Sequence, residues 1–485
     1  MNQNKSKQKN QNIEDGMKKR LLTALFVSII GLTMLFAGGQ NEDSDTTSTD
    51  EVGGTLEVWG FASEIKTLSL AYEEQHPDVK VNFTLIPVAE YTTKIKAAIS
   101  SGDVPDVICL EAGFVKNYVE SDYLLNLNDL LPKAEELGTY QYLLDIGSYE
   151  GQTKAFSYQA TPGALFYRRS LAKKYFGTDD PVEMQKILSN MDNFKKAAQI
   201  VHDKSDGDTY MIASALEFEN LYYANRKSPW VVDGKLNIDD EIYEMIKISK
   251  EFRDNGWEAQ ATPWSAGWFN GMNDSLTDAA GNEKQIFCYL LPTWGLSSIL
   301  MLNSEPKISG GKTSGVSTIG DWACINGPMP YYWGGTWMAI LDQSKNIATA
   351  KDFIEFSTLN EDTLSKWALG TYTNEYLKNI DPTISDVQAQ GAGDFVSSQV
   401  VVEKIKSKFD NSKSSEFLAG QNAYAGFAKA APNITSKLLQ GTDGDIQNAL
   451  GDPLQGYVEG SLTFEECIEA FKAAVRSSVP DVLIK

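Results

Sequence analysis

Six tryptophans, Trp59, Trp264, Trp268, Trp294, Trp333 and Trp337, fall in loops or at the ends of predicted strands, where side chains line clefts in α/β sheets. An indole offers a broad apolar face and one N–H donor, so such residues stack and orient a ligand and break no bond. The ligand suited to that chemistry has flat C–H faces and many hydroxyls, as a sugar does. Tryptophan is also a large core residue, and each of the six is open to that reading. Two stand first: Trp294 closes the apolar run that starts at Gln285, and Trp337 follows Gly334-Gly335, where missing side chains let backbone or ligand approach. Hydroxyls also need acceptors. Glu111, just past the predicted strand 106–110, is the candidate carboxylate, a solvated loop glutamate being the alternative.

Other chemistries find little support. There is no G-x-S-x-G, H-E-x-x-H, P-loop or G-x-G-x-x-G opening a helix after a strand. Among 65 acidic residues a carboxylate pair of the glycoside hydrolase kind stays open. Cys109, Cys288, Cys324 and Cys467 stand singly, and His76 and His202 are the only histidines, so neither a metal site nor a cofactor is expected. Cys288 and Cys324 either pair in an oxidising compartment or stay as buried thiols.

The compartment is read from Met17 to Gly39. Lys18, Lys19 and Arg20 precede an apolar run from Leu21 to Phe36 that exits through Ala37-Gly38-Gly39, the pattern of an export signal cleaved near Ala37. Phe36-Ala37-Gly38-Gly39 is similar to a bacterial lipoprotein processing box, with Gly39 where the acceptor cysteine would stand. No lipid anchor and a periplasmic location are therefore expected. Residues 40–52 form an acidic tether with almost no apolar residues. The chain's net charge is −22, and residues 1–37 hold six basic and two acidic side chains, so the mature chain carries −26. Nucleic acid and anionic lipid are not expected partners, and a monomer is expected.

From about Gly53 roughly 430 residues remain, enough for two domains. Segment 55–59 alternates as a strand, 65–75 has helical spacing, and 79–85 alternates again. A helix over 91–100 and a strand over 106–110 follow, then an extended run 156–167 containing Pro162. Helices are expected over 170–175, 193–204, 239–255, 348–359 and 464–477, and buried strands over 285–291 and 337–341. Strands alternating with helices predict a parallel sheet with covered faces.

Several of these segments, in order, resemble the extracellular solute-binding proteins of carbohydrate ABC importers, the group that includes maltose-binding protein. They are Gly54-Thr55-Leu56-Glu57-Val58-Trp59, then Tyr72-Glu73-Glu74-Gln75-His76-Pro77-Asp78-Val79, then Gly102-Asp103-Val104-Pro105-Asp106-Val107. Tyr158-Gln159-Ala160-Thr161-Pro162, Gly327-Pro328-Met329-Pro330 and the start of the last helix continue the likeness. Arg168-Arg169 stand where the family usually has Asn-Lys, and 370–373 lacks the proline often found there.

The resemblance implies an α/β fold of the two-lobed, type II periplasmic binding protein kind, its discontinuous lobes joined by a hinge. With crossings near Leu165, Tyr331 and Gly370, the first lobe takes 53–165 and 331–370, the second 166–330 and 371–485. It implies ligand contacts at Phe61, Ser63 and Glu64 after the first strand, at Tyr158 and Thr161 on the first crossover, at Tyr222 and Tyr223, and at Tyr372 on the site rim. Trp294 matches a sugar-stacking position of the family. The function so implied is capture of a sugar or oligosaccharide for a membrane permease, without catalysis. A binding protein for a polyamine or peptide, or a secreted glycoside hydrolase, are the alternatives.

Overall fold

A computed structural model of the chain describes residues 51–383 and 394–484; the export segment, its cleavage point and most of the tether lie outside the described residues. Eight strands build the two main sheets: β1 (Gly54–Gly60), β2 (Val79–Leu85), β3 (Val107–Glu111), β4 (Ala155–Ser157), β5 (Gly163–Arg168), β6 (Cys288–Pro292), β7 (Trp322–Ile325) and β8 (Thr336–Ile340). The first sheet runs β2-β1-β3-β8-β4 and the second β6-β5-β7.

Alternation in β1 buries Leu56 and Val58 and leaves Glu57 and Trp59 half-buried on the opposite face. Val58 lies opposite Phe83 of β2 and Val107 of β3, both parallel. The crossover helix Ile65–Gln75 buries Leu68, Ala71 and Tyr72, and the helix Val88–Ser101 stops at Gly102 with φ +75°. Asp106, at the entry to β3, accepts from the Glu57 amide, the Ser344 hydroxyl and the Asn346 side-chain amide at 2.9, 2.7 and 3.0 Å. One buried carboxylate thereby ties β1, β3 and the turn after β8 together.

Within the two main sheets the parallel arrangement expected from the sequence holds only for β2-β1-β3. β8 is antiparallel to β3 and β4, and both β6 and β7 are antiparallel to β5. Strand–helix alternation reports local crossover units, whereas β6, β7 and β8 return to their partners from far along the chain. The expected helices form at Arg169–Phe176, Met191–Ser205, Asp240–Asp254, Ile347–Thr358 and Phe464–Ser478. The last begins with a reciprocal capping box, the Thr463 hydroxyl accepting from the Glu466 amide while the Glu466 carboxylate accepts from the Thr463 amide. Thr463→Ala is expected to lower stability by about 1 kcal/mol, read as a fall in the urea midpoint at constant slope.

All four cysteines are buried and free. Cys288 on β6 and Cys324 on β7 face different edges of β5, opposite Tyr167 and Phe166. Two strand spacings separate their backbones by about 10 Å, beyond disulfide reach. The departures Arg168 and Arg169 are structural. Arg168 is clamped by Asp274 (2.6 and 3.1 Å) and Asp321 (2.7 Å) over the Trp322 ring, and Arg169 donates to the carbonyls of Trp322, Asp179 and Leu418. A lysine has no fork to hold three acceptors at once.

Between the sheets, stretches of chain run side by side. The Gly163 amide donates to the Tyr331 carbonyl at 2.7 Å, and the Trp333 amide to the Thr161 carbonyl at 3.2 Å, so the β4–β5 and β7–β8 connections are laced together. On the other flank Ala160 donates to Phe395 and Ser397 to Tyr158, at 2.7 and 3.0 Å. Gly370 instead ends the helix Glu361–Ala368 at φ +66°. The helix Asn374–Ile380 packs on Ile65–Gln75, while Ala423–Ala430 packs on β5 and β7. Among the described residues no helix is long and apolar enough to cross a membrane.

Candidate functional site

The loops that leave β1, β3 and β6 and the connection entering β8 surround a cleft with two chambers. The larger, about 470 Å³, is walled by Phe61, Glu64, Trp264, Trp294, Trp367 and Asp394; the smaller, about 320 Å³, by Lys116, Glu219, Tyr223, Arg226 and Asp443. Glu111, Trp333 and Gly334 line both and form the sill between them.

The larger chamber is aromatic. Trp264 lies nearly parallel to Trp294, with centroids 6.3 Å apart at 13°, and Trp333 stands edge-on to both at 6.2 and 5.7 Å. The Trp294 indole donates to the Trp333 carbonyl at 3.0 Å, which fixes its ring plane. Gly334, at φ +74°, passes so close that an added Cβ would sit 3.2 Å from Trp294 Nε1. Trp264 adopts φ +70°, rare for a bulky residue, and is 54% exposed. An aromatic ring held in a strained backbone conformation and left open to the cleft is the kind of outlier that ligand sites carry.

Carboxyl groups supply the polar part. Glu111 Oε2 accepts the Gly113 amide at 2.6 Å. Glu64 accepts from the Tyr158 hydroxyl at 3.1 Å. Burial pushes both carboxyls upward. Burial and the nearby Glu64 push Asp394 up to about 7, and burial alone pushes Glu219 to about 7. Asp443, raised by burial to about 6, meets Arg226 at 2.5 Å, with both side chains under 4% exposed. A carboxyl with a raised folded-state pKa binds its proton more tightly folded than unfolded, so the unfolded chain releases it first. Stability from Asp394 and Glu219 is therefore complete below about pH 4 and is lost as pH rises through about 7. Melting temperature is expected to fall from pH 5 to 8, and Asp394→Asn with Glu219→Gln to flatten that fall; an unchanged slope in the double variant refutes the assignment.

Of the residues singled out in the sequence, Phe61, Glu64, Glu111, Trp264, Trp294 and Trp333 line the aromatic chamber and Tyr223 the polar one. Tyr158 and Thr161 sit buried behind the wall, Tyr158 bonded to Glu64 and the Thr161 hydroxyl donating to the Gly334 carbonyl at 2.9 Å. Trp59 and Ser63 are half-buried beside the cleft without lining it. Trp268, Trp337, Tyr222 and Tyr372 are buried in the core and do not reach the cleft. The Trp268 indole donates to Glu217 and the Trp337 indole to the Leu143 carbonyl, at 3.0 and 3.1 Å, so their polar edges are used inside the fold. Gly335 does admit a close approach, but of the Trp337 ring itself, 2.9 Å from an added Cβ. The sequence reading missed Gln159 as a lining residue, with Arg226, Trp367, Asp394 and Asp443. Arg226 and Asp443 are 217 positions apart, and no local pattern connects them.

A family model described as bacterial extracellular solute-binding protein matches residues 68–397. No curated protein matches the chain. Among solved structures, an extracellular solute-binding protein of family 1 is similar over 88% of this chain and 100% of its own, with TM-score 0.67 and 18% identity. The ABC transporter associated binding protein from B. animalis subsp. lactis Bl-04, in complex with beta-1,6-galactobiose, is similar over 90% and 100%, with TM-score 0.62 and 20% identity. The sugar-binding protein MalE from the phytopathogen Xanthomonas citri is similar over 88% and 97%, with TM-score 0.64 and 15% identity. The shared architecture is the two-lobed, type II α/β fold.

Proposed function

We propose, for a chain that belongs to the bacterial extracellular solute-binding proteins, that it is the substrate-binding component of an ABC importer which captures a sugar or oligosaccharide and delivers it to a membrane permease. The observation that carries this reading is the three-tryptophan wall of Trp264, Trp294 and Trp333 facing carboxyl acceptors in one cleft. Stacking faces beside hydroxyl acceptors are what a pyranose requires. The complexed neighbour from B. animalis binds a galactose disaccharide, in keeping with a site of this size.

The first lobe, in this proposal, is built on the five-stranded sheet and the second on β6-β5-β7. Residues 53–165 and 331–370 form the first, 166–330 and 371–485 the second, except that 163–165 begin β5 and go with the second, and Asn374–Ile380 rests on the first. The laced stretches at 158–163, 331–333 and 395–397 are the hinge, and ligand contacts with both lobes bias it toward closure. The protein is exported to the periplasm through the segment before residue 40, works as a monomer and catalyses no reaction.

The test is a thermal-shift screen of residues 40–485 against mono- and oligosaccharides, amino acids and polyamines, followed by titration of tryptophan fluorescence. A saturable stabilisation by one glycan class with a change in indole emission is expected. Stabilisation by a non-sugar solute alone overturns the cargo assignment, and release of reducing sugar from a glycan overturns the reading of a protein without catalysis.

A further inference from the structure

Acidic side chains outnumber unengaged basic ones on the walls of the cleft. Glu64, Asp394, Glu111 and Glu219 line it, and among the described residues none of them is in an ion pair. The cations of the same walls are engaged elsewhere. Arg226 is bonded to Asp443, and the Lys116 ammonium donates to the carbonyls of Asp145 and Ser148 at 3.0 and 2.6 Å. Lys437, the remaining cation of the polar chamber's lining, is exposed to solvent. In the aromatic chamber the walls therefore combine indole faces with carboxyls, the two groups that attract an ammonium most strongly.

The polar chamber gives an independent indication. Asp443 Oδ1, Arg226 Nη1 and the Tyr223 hydroxyl are buried on its wall without a hydrogen-bond partner among the described residues. Leaving an acceptor, a donor and a hydroxyl unsatisfied together is costly, and a pair of sugar hydroxyls would satisfy them. The two chambers meet at Glu111, so one ligand can occupy both.

We infer that the cargo is a basic oligosaccharide, an amino sugar of at least two units. One unit carries a free amine held between the tryptophans and Glu64 and Asp394, and the next presents hydroxyls to Tyr223, Arg226 and Asp443. This assignment rests on the sugar reading of the cleft.

Calorimetric titration of the mature chain with four probes tests it: a glucosamine dimer with free amines, its N-acetylated counterpart, a neutral glucose dimer of the same linkage, and spermidine. The free-amine dimer is expected to bind about tenfold more tightly than either neutral dimer. In a Glu64→Gln, Asp394→Asn chain, shown to be folded by its melting curve, that preference should disappear. Equal affinity for the three sugars overturns the charge assignment and leaves the sugar reading standing. Binding of spermidine without any sugar overturns both, and silence from all four overturns the assignment.

Discussion

A Gly163→Ala chain is expected to lose about 3 kcal/mol of stability, close to the upper end for a single added methyl. An added Cβ at this position would lie 2.1, 2.2 and 2.3 Å from three atoms of the Tyr331 ring. The ring has nowhere to retreat. It is 2% exposed, and its hydroxyl lies 3.1 and 3.2 Å from the carbonyls of Ala164 and Leu291, on two neighbouring strands of the second sheet, with its one proton shared between them. The backbone is equally fixed, because the Gly163 amide donates to the Tyr331 carbonyl at 2.7 Å. The two connections between the sheets touch here, ring on backbone, and only a residue without a side chain permits it. Urea denaturation should show the loss as a lowered midpoint. Combining Gly163→Ala with Tyr331→Ala, which removes the clashing ring, should cost less than the two single changes added together. A single variant with a native midpoint would show that the connections can separate at no cost.

Much of this fold is legible in the chain because its elements announce themselves locally. The period-two pattern of 55–59, the helical spacing of 65–75 and the break at Gly102 each fix an element from its own residues. Strand direction is not local. The antiparallel course of β8 beside β3 follows from a return across more than two hundred residues, and nothing in Trp337-Met338-Ala339 encodes its neighbour. The site divides in the same way. Glu64, Glu111 and Trp294 are found because they end or follow strands, Glu111 as the last residue of β3, and in an α/β sheet the strand ends face the cleft. Asp394, Arg226 and Asp443 are missed because a lone acid or base has the same appearance in the sequence whether it meets a partner or water. Tryptophan is the ambiguous case, since the same ring serves a core and a sugar, and only its surroundings decide.

Trp294 and Trp337, which the sequence ranks together, should therefore part company. Trp294→Ala is expected to weaken binding of the glycan identified in the screen by about 30- to 1,000-fold, the range for truncating an aromatic anchor of a binding site. Its ring is packed in place by Trp264, Trp333 and the close pass of Gly334, and its one donor is already spent on the Trp333 carbonyl, so the exposed face is free for a ligand. Removing it also releases Trp333, so both edges of the aromatic wall are lost with one substitution. Trp337 has no such face. It is 0% exposed, wedged against Gly335 and bonded to Leu143, and Trp337→Phe should lower the urea midpoint by an amount equal to about 1–3 kcal/mol while leaving the affinity of the folded fraction near native. Affinity and stability measured on both variants separate the two roles. If Trp294→Ala bound like the parent chain, the tryptophan wall would be packing, and the polar chamber beyond Glu111 would have to hold the ligand by itself.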